Sequence, residues 1–138
     1  MKYATHPMTA ERRRTIGLAL TGFVTLFLAF DTVIKLLALA PAVQGTTELG
    51  YPAYTVTWIG IIELVCLVLY LVPRTSVLGA LLLTGHLGGA VATHLRVGSP
   101  LWSHTLFPVY VALLVWAGLY LRDDRLRQLV PLRRHVSR

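Results

Sequence analysis

Five ionisable side chains lie within otherwise apolar stretches of this sequence and have the greatest capacity for chemistry. They are Asp31, Lys35, Glu63, His86 and His94. A charged side chain at the centre of a bilayer costs about 2.5–3.5 kcal/mol on insertion scales, so such residues usually face a partner or a cavity. Carboxylates and imidazoles bind polar groups and exchange protons. The five residues therefore predict a ligand-binding or proton-handling site inside an apolar protein.

The distance of each residue from its predicted helix start separates these groups into two tiers. Glu63 lies about 15 Å from the start of its helix and His86 about 14 Å from the start of another, so both fall near the middle of a bilayer. The outer tier, about 24–30 Å along the helices, contains Asp31, Lys35 and His94, with His104 as a further candidate, and Arg96 reaches the same level. The sequence thus predicts a deep polar pair below an outer polar group.

Simpler interpretations stay open for each residue. Asp31 and Lys35 are four positions apart in the favourable acid-first order, which also suits a plain intrahelical ion pair with the lysine reaching outward. Glu63 could be protonated and structural, and His86 could hydrogen-bond between helices. His94 could be an ordinary interfacial histidine. Spacing alone does not choose between these roles and a ligand site.

Metal, haem and nucleophile chemistry find little support in the sequence. His86 and His94 are about 12 Å apart along one helix, too far to share a zinc ion or to ligate one haem iron. Cys66 is the single cysteine, which excludes an intrachain disulfide, and a buried thiol on an apolar helix is normally inert. We therefore expect no catalytic residue, no metal site and no intrinsic cofactor.

The composition is that of a membrane protein. Of the 138 residues, 55% are hydrophobic and only 14% are charged, whereas about a quarter of the residues in a soluble domain are charged. The mean hydropathy is +0.64. The net charge of +7 does not indicate nucleic-acid binding, because the basic residues flank the apolar stretches instead of forming one patch.

Four apolar stretches predict an all-α fold, an antiparallel four-transmembrane-helix bundle. Each is close to the roughly 20 residues that cross the hydrocarbon core. Pro41 is expected to end the first stretch, and the short turn at Pro73-Arg74 to join the second and third as a hairpin. The predicted spans are about 15–40, 52–72, 76–95 and 102–121, between a basic N-terminal segment, 1–14, and a basic tail, 122–138.

The loop charges predict the orientation of the bundle. With four spans, both termini share a side with Arg74, three arginines before the first span and six in the tail, while the opposite side holds only Arg96. The positive-inside rule then places both termini in the cytoplasm. The tail alternates apolar and basic residues, which suits either an amphipathic helix on an anionic leaflet or a solvated segment.

The spacing of residues on two of the predicted helices indicates which faces pack inside the bundle. Gly85, Gly88 and Gly89 belong to rows of small residues that let helices approach closely in lipid, so we expect them to pack helices. They are also the only feature of the sequence that suggests a homo-oligomer. In the second span, Glu63, Cys66 and Tyr70 have the spacing of one helical stripe facing the bundle centre.

Several short motifs, in order and with matching spacing, resemble the DoxX-like family of small four-helix bacterial membrane proteins. The motifs are Lys35-Leu36-Leu37, Leu49-Gly50-Tyr51-Pro52-Ala53-Tyr54, Glu63-Leu64, Leu71-Val72-Pro73-Arg74-Thr75 and the run from Gly85 to Arg96. The likeness extends from about residue 16 to 132 and implies the bacterial cytoplasmic (inner) membrane. The family is named after a subunit associated with quinone-linked sulfur oxidation, and distant relatives look like assembly factors. Relatives are expected to have an aromatic residue in place of His86.

Two functional hypotheses follow. In the first, the protein is a small subunit or accessory of a membrane redox or stress system, with a quinone-like, lipid-soluble ligand bound by Glu63, His86, His94, Asp31, Lys35 and Arg96. Electrons would come from a membrane or peripheral partner protein. In the second, it is a non-catalytic scaffold or assembly partner whose polar residues only fix helix register. Proton or small-solute transport by an oligomer is a third and weaker alternative.

Overall fold

The computed structural model of the protein describes residues 8–130. All regular secondary structure in this part of the chain is helical. The helices are α1 (Ala10–Leu36), α2 (Ala40–Glu48), α3 (Thr55–Leu71), α4 (Ser76–Arg96), α5 (Phe107–Arg122) and α6 (Asp124–Leu129), with a π-helical turn at Leu101–Thr105. The predictions for the first seven residues of the N-terminal segment and the last eight of the tail lie outside the described residues.

The first helix begins earlier than the predicted span. Thr9 caps it, since the threonine side chain accepts a hydrogen bond from the Arg12 amide at 3.3 Å. Glu11 lies in the first turn, where a negative charge suits the helix dipole. Residues 10–14 of the predicted polar segment are therefore the first turns of α1.

The prediction that Pro41 ends the first span is wrong. The helix already ends at Leu36, and Ala38 adopts a left-handed backbone with φ of 49°. Pro41 instead lies in the first turn of α2, where its missing N–H group costs no hydrogen bond. The segment predicted as a loop thus contains a nine-residue helix.

The four long helices run in alternating directions. At one end, Arg13 of α1 pairs with Asp124 at 3.5 Å, and Arg122 of α5 donates to the Tyr70 carbonyl of α3 at 3.3 Å. At the other end, Arg96 of α4 donates to the carbonyl of Leu49, just after α2, at 2.5 Å. The described chain therefore starts and finishes at the same end of the bundle.

Within residues 8–130, three helices are long and apolar enough to cross a membrane, namely Ala10–Leu36, Ser76–Arg96 and the stretch Leu101–Arg122. The apolar helix α3 is shorter, with 17 residues, which makes it about 25 Å long and places it at the lower limit for a span. The all-helical membrane fold is thus confirmed. The count of four spans and the side of the termini stay predictions.

The core is built from one buried stripe on each long helix. On α3, Glu63, Cys66 and Tyr70 are all buried, as the spacing predicted. The Tyr70 hydroxyl donates to the Val115 carbonyl at 2.9 Å, which satisfies the phenol in an apolar core. The buried residues of the other long helices include Val24 and Leu28 on α1, Leu83 and Leu87 on α4, and Val111, Val115 and Leu119 on α5.

The prediction that Gly85, Gly88 and Gly89 pack the helices is wrong within residues 8–130. A Cβ atom added at any of the three would have no neighbouring atom within 4 Å. The close approaches are instead made at Gly17, Gly60, Gly79 and Gly118. A Cβ at Gly79, for example, would overlap the backbone of Leu69 and Tyr70, because the short α3–α4 turn forces these helices together.

The described part of the tail packs against the bundle. Asp123 caps α6 by accepting hydrogen bonds from the amides of Arg125 and Leu126, at 2.8 and 3.2 Å. Leu126 is buried in the core cluster. The start of the predicted tail is therefore a short amphipathic helix attached to the protein.

A candidate ligand-binding cavity

The site begins with a close crossing of α1 and α3. A Cβ at Gly60 would lie 2.9 Å from the Cβ of Lys35 and 3.1 Å from the Leu36 amide nitrogen. Because Gly60 has no side chain, Lys35 lies directly against α3. Glu63 follows Gly60 by three residues and so lies on the same face, one turn deeper. This crossing positions the lysine above the carboxylate.

Lys35 joins two carboxylates from different helices. Its Nζ lies 2.5 Å from Asp31 Oδ2 on α1 and 2.7 Å from Glu63 Oε2 on α3. The predicted intrahelical pair between Asp31 and Lys35 is present, but the lysine turns into the bundle and does not extend outward. The predicted deep and outer tiers therefore meet at this ammonium group.

His86 completes the polar cluster from α4. Its Nε2 lies 3.6 Å from Glu63 Oε2, so the two residues predicted at equal depth are neighbours. The Glu63 side chain is 1% exposed, and its other oxygen, Oε1, has no hydrogen-bond partner within residues 8–130. Asp31, Lys35, Glu63 and His86 form what we call the polar cluster.

The polar cluster lines a half-enclosed cavity of about 550 Å³. Helices α1, α3, α4 and α5 form its sides and α2 covers its outer end. Much of the wall is apolar, including Phe27, Leu28, Ile34, Ile59, Leu87, Phe107 and Val111. Of the six residues predicted to bind a ligand, the structure places five on this wall: Asp31, Lys35, Glu63, His86 and His94.

Arg96, the sixth predicted ligand residue, does not line the cavity. Its guanidinium donates to the Leu49 carbonyl and lies beside Gly50, whose φ of +83° would strain any residue with a side chain. A Cβ there would also lie 3.2 Å from the arginine. Arg96 thus attaches the end of α2 to α4, and with it the cover of the cavity.

Hydrogen bonds between segments define the outer end of the cavity. The Tyr51 and Thr93 hydroxyls are 3.0 Å apart, and His94 Nδ1 lies 2.9 Å from Ser99 Oγ. The rings of His94 and His104 approach edge to face, with centroids 6.0 Å apart. Residues 8–130 contain no group of three or more histidine, cysteine or acidic side chains placed to hold one metal ion.

Sequence reasoning missed several residues of the site. The α2 residues Pro41, Ala42, Gly45 and Thr46 contribute to the wall, although this segment was expected to be a loop. Phe27 and Phe107, whose ring centroids are 5.6 Å apart in an edge-to-face pair, join α1 to α5 beside the cavity. One feature of the sequence could have indicated the crossing of α1 and α3, namely a glycine, Gly60, one helical turn before the acidic residue Glu63.

Comparison with known families agrees with this architecture. The model of the DoxX-like family matches residues 19–118, which extend from the second turn of the predicted first span almost to the end of α5. The chain belongs to the DoxX-like family. The matched region contains the whole polar cluster and every residue that lines the cavity. No curated protein and no solved structure matches the chain.

Membership of the DoxX-like family and the apolar helices together show an integral membrane protein. Such a protein contacts lipid over its outer surface, which agrees with the many exposed apolar side chains, among them Phe23, Leu26 and Phe30 on α1. Ionisable side chains within the apolar helices of a membrane protein are costly, so the concentration of four in one cluster, with Glu63 fully buried, marks the cavity as the candidate functional site.

Proposed function

We propose that the cavity binds the head group of a lipid-soluble ligand, a quinone, in a membrane protein that serves as a small subunit or accessory of a redox system. One observation carries the proposal: an ammonium group and an imidazole meet on the wall of an apolar cavity. A volume of about 550 Å³ lies within the roughly 300–1,000 Å³ that small-molecule sites occupy.

The hydrogen-bonding capacity of Lys35 supports a carbonyl ligand. An ammonium group has three N–H donors, and the contacts with Asp31 and Glu63 account for two of them. The third is free to donate to a ligand oxygen. His86 offers a further donor or acceptor according to its tautomer. Two donors on one wall suit the carbonyl oxygens of a quinone head.

The residues of the polar cluster would have distinct roles. Lys35 and His86 bind and orient the carbonyl groups, while Asp31 and Glu63 hold the lysine in place. Glu63 and His86, 3.6 Å apart, can hold or exchange a proton at the carboxylate and the imidazole. The quinone, when bound, supplies the two-electron redox chemistry. Electrons would come from a membrane or peripheral partner protein.

We further propose that the protein lies in the bacterial cytoplasmic membrane with four spans and both termini in the cytoplasm. The arginines at the two ends of the described chain lie at the same end of the bundle, where Arg13 of α1 pairs with Asp124 of α6. The opposite end has Arg96. The positive-inside rule supports this orientation.

A scaffold without ligand chemistry is the second candidate, and one observation favours it. The ion pairs of Lys35 already compensate Asp31 and Glu63 within the chain and bind α1 to α3. Such an arrangement can exist solely to fix the helix register. Transport of protons or small solutes by an oligomer uses similar residues and is the weaker alternative.

A matched pair of histidine variants tests the proposal. His86 lines the cavity, whereas the exposed His104 does not. Decylubiquinone and a short-chain menaquinone would be titrated into the protein purified in detergent, and binding followed by tryptophan quenching. We expect His86→Phe to weaken binding roughly tenfold, the value of one lost hydrogen bond, and His104→Phe to bind as the wild type does. Equal binding by both variants, or none by the wild type, would favour the scaffold.

A further inference from the structure

A second pocket lies at the opposite end of the bundle from α2. It has a volume of about 290 Å³ and is formed by the start of α1, the end of α5 and the helix α6. Its wall is mostly charged and consists of Ala10, Glu11, Arg13, Arg14, Leu121, Arg122, Asp124 and Arg127. We call it the arginine pocket. It shares no residue with the ligand cavity.

The arginine pocket has more positive than negative charge. Four guanidinium groups face two carboxylates. Asp124 pairs with both Arg13, at 3.5 Å, and Arg127. The Arg122 guanidinium instead lies 5.2 Å above the centre of the Tyr70 ring and donates to a backbone carbonyl. Two positive charges are therefore in excess within one small volume.

The arginines are also incompletely hydrogen-bonded. The Nε atoms of Arg13 and Arg122 are buried, and neither has an acceptor among residues 8–130. A buried donor without an acceptor costs about 1–3 kcal/mol. Guanidinium groups that line one small pocket repel one another, and Asp124 compensates only part of this charge. The local electrostatics therefore favour a bound anion with several acceptor oxygens.

The position of the arginine pocket identifies the kind of anion. The apolar part of α1 begins directly after Arg14, with Ile16 and Leu18 exposed on its outer surface, and α5 ends at Arg122. The pocket thus lies where the apolar surface of the bundle ends, at the level of lipid phosphates. Basic pockets between transmembrane helices at this level bind anionic lipid head groups.

We propose that the arginine pocket binds the phosphate group of an anionic phospholipid. The short helix α6 completes the site, because its cap at Asp123 and the buried Leu126 hold Arg127 on the pocket wall. Arg127 also donates to the Tyr120 and Leu121 carbonyls, at 3.1 and 2.9 Å, which fixes its guanidinium. Asp124 competes with the lipid phosphate for the same arginines.

The test compares two double variants with the same change in net charge. Arg13→Gln/Arg122→Gln removes two pocket arginines, whereas Arg12→Gln/Arg125→Gln removes two exposed arginines outside the pocket, one on α1 and one on α6. Phosphatidylglycerol would be titrated into delipidated protein in detergent and bound lipid counted by native mass spectrometry. We expect the pocket variant to lose affinity by roughly tenfold or more, and the control to change by less than about threefold. Phosphatidylcholine should bind weakly to every protein.

Two single changes keep the test decisive if the pocket variant fails to fold. Asp124→Asn removes the competing carboxylate and should tighten phosphatidylglycerol binding, while Arg14→Gln, at an exposed position, should weaken it relative to Arg12→Gln. Equal effects of pocket and control variants would overturn the proposal, since they would indicate diffuse attraction only. If inorganic phosphate binds as tightly as the lipid and with the same variant dependence, the site recognises free phosphate and the lipid assignment is wrong.

Discussion

At the scale of single residues, Lys35 is the centre of the site. One ammonium group binds Asp31 at 2.5 Å and Glu63 at 2.7 Å, and so connects two helices through charges that are costly to bury alone. His86 adds a proton-exchanging group 3.6 Å from the same carboxylate. The stability of the bundle and the polarity of the cavity thus depend on the same side chain.

Replacing Lys35 with methionine should destabilise the protein. The variant leaves the Glu63 carboxylate, 1% exposed, without its cation, and breaking a buried ion pair in this way costs about 3–5 kcal/mol. Thermal unfolding in detergent would show a lower melting temperature for Lys35→Met. The double variant Lys35→Met/Glu63→Gln should recover part of the loss, because the buried charge is then removed. Wild-type stability of the single variant would show that the ion pairs do not hold α1 to α3.

A second residue prediction concerns the buried tyrosine on α3. Tyr70→Phe removes the hydroxyl that donates to the Val115 carbonyl, which keeps its hydrogen bond within α5. We expect a loss of about 0.5–1.5 kcal/mol in the free energy of unfolding, with quinone binding unchanged because Tyr70 does not line the cavity. Tyr54→Phe, at a side chain 71% exposed, is the control and should have no effect on unfolding. A change in quinone affinity for Tyr70→Phe would contradict the separation of core and site.

The sequence predicted part of this residue-scale arrangement. Equal depth placed Glu63 beside His86, because the helical rise per residue is constant. The inward turn of Lys35 could not be predicted, since depth along a helix does not specify which neighbour a long side chain reaches. It depends on the close crossing at Gly60, which only the packed helices reveal.

At the scale of helices, glycine positions decide how closely the elements pack. Gly79 lies against the backbone of α3 at the short hairpin turn. Gly118 faces α1, where an added Cβ would lie only 2.8 Å from the Thr21 hydroxyl oxygen. A Cβ added at Gly85, Gly88 or Gly89, in the middle of α4, would meet no atom of the described chain within 4 Å. Similar residues on one helix therefore have different structural roles.

This difference predicts opposite outcomes for two alanine substitutions on α4. Gly79→Ala should destabilise the bundle by roughly 1–3 kcal/mol, because the new methyl group forces the hairpin apart. Gly88→Ala should leave stability unchanged or raise it by up to about 1 kcal/mol, because alanine favours a helix more than glycine does and the new methyl group meets no atom of the described chain. Unfolding in detergent measures both. Strong destabilisation by Gly88→Ala would mean that a neighbouring subunit or another segment covers this face of α4.

The element boundaries show where sequence patterns fail. Pro41 was a reasonable end for the first span, because proline interrupts a helix interior, but the same residue is compatible with a first turn and begins α2. Composition alone does not distinguish these two uses. The sequence shows that α4 has a row of small residues, but it does not show whether this row faces the bundle or its outer surface. The row was therefore predicted to pack against other helices of the bundle.

At the scale of the whole molecule, the two ends of the bundle differ in charge. One end has the arginines of α1, α5 and α6, and the other has α2 above the ligand cavity. The hydrophobic composition and the family motifs were sufficient to predict the all-helical membrane fold, which the family match and the apolar helices confirm.

Cysteine labelling tests the proposed orientation. The native Cys66 is buried and should react little with a membrane-impermeant maleimide. Ser103→Cys, near the α2 end, should be labelled in intact cells, whereas Gln128→Cys, on α6, should be labelled only after the membrane is permeabilised. Both native residues are exposed in the structure. The reverse pattern would place the termini outside the cytoplasm.

Native mass spectrometry of the gently purified protein, compared with Glu63→Gln, tests the central claim most directly. The spectrum reports the oligomeric state and any retained small molecule together. Our account predicts a retained mass of quinone size in the wild type and its loss in the variant, since Glu63 positions the ammonium group that would bind the carbonyl. Wild-type protein that carries only phospholipid or another polypeptide would contradict the ligand site and identify the protein as a scaffold.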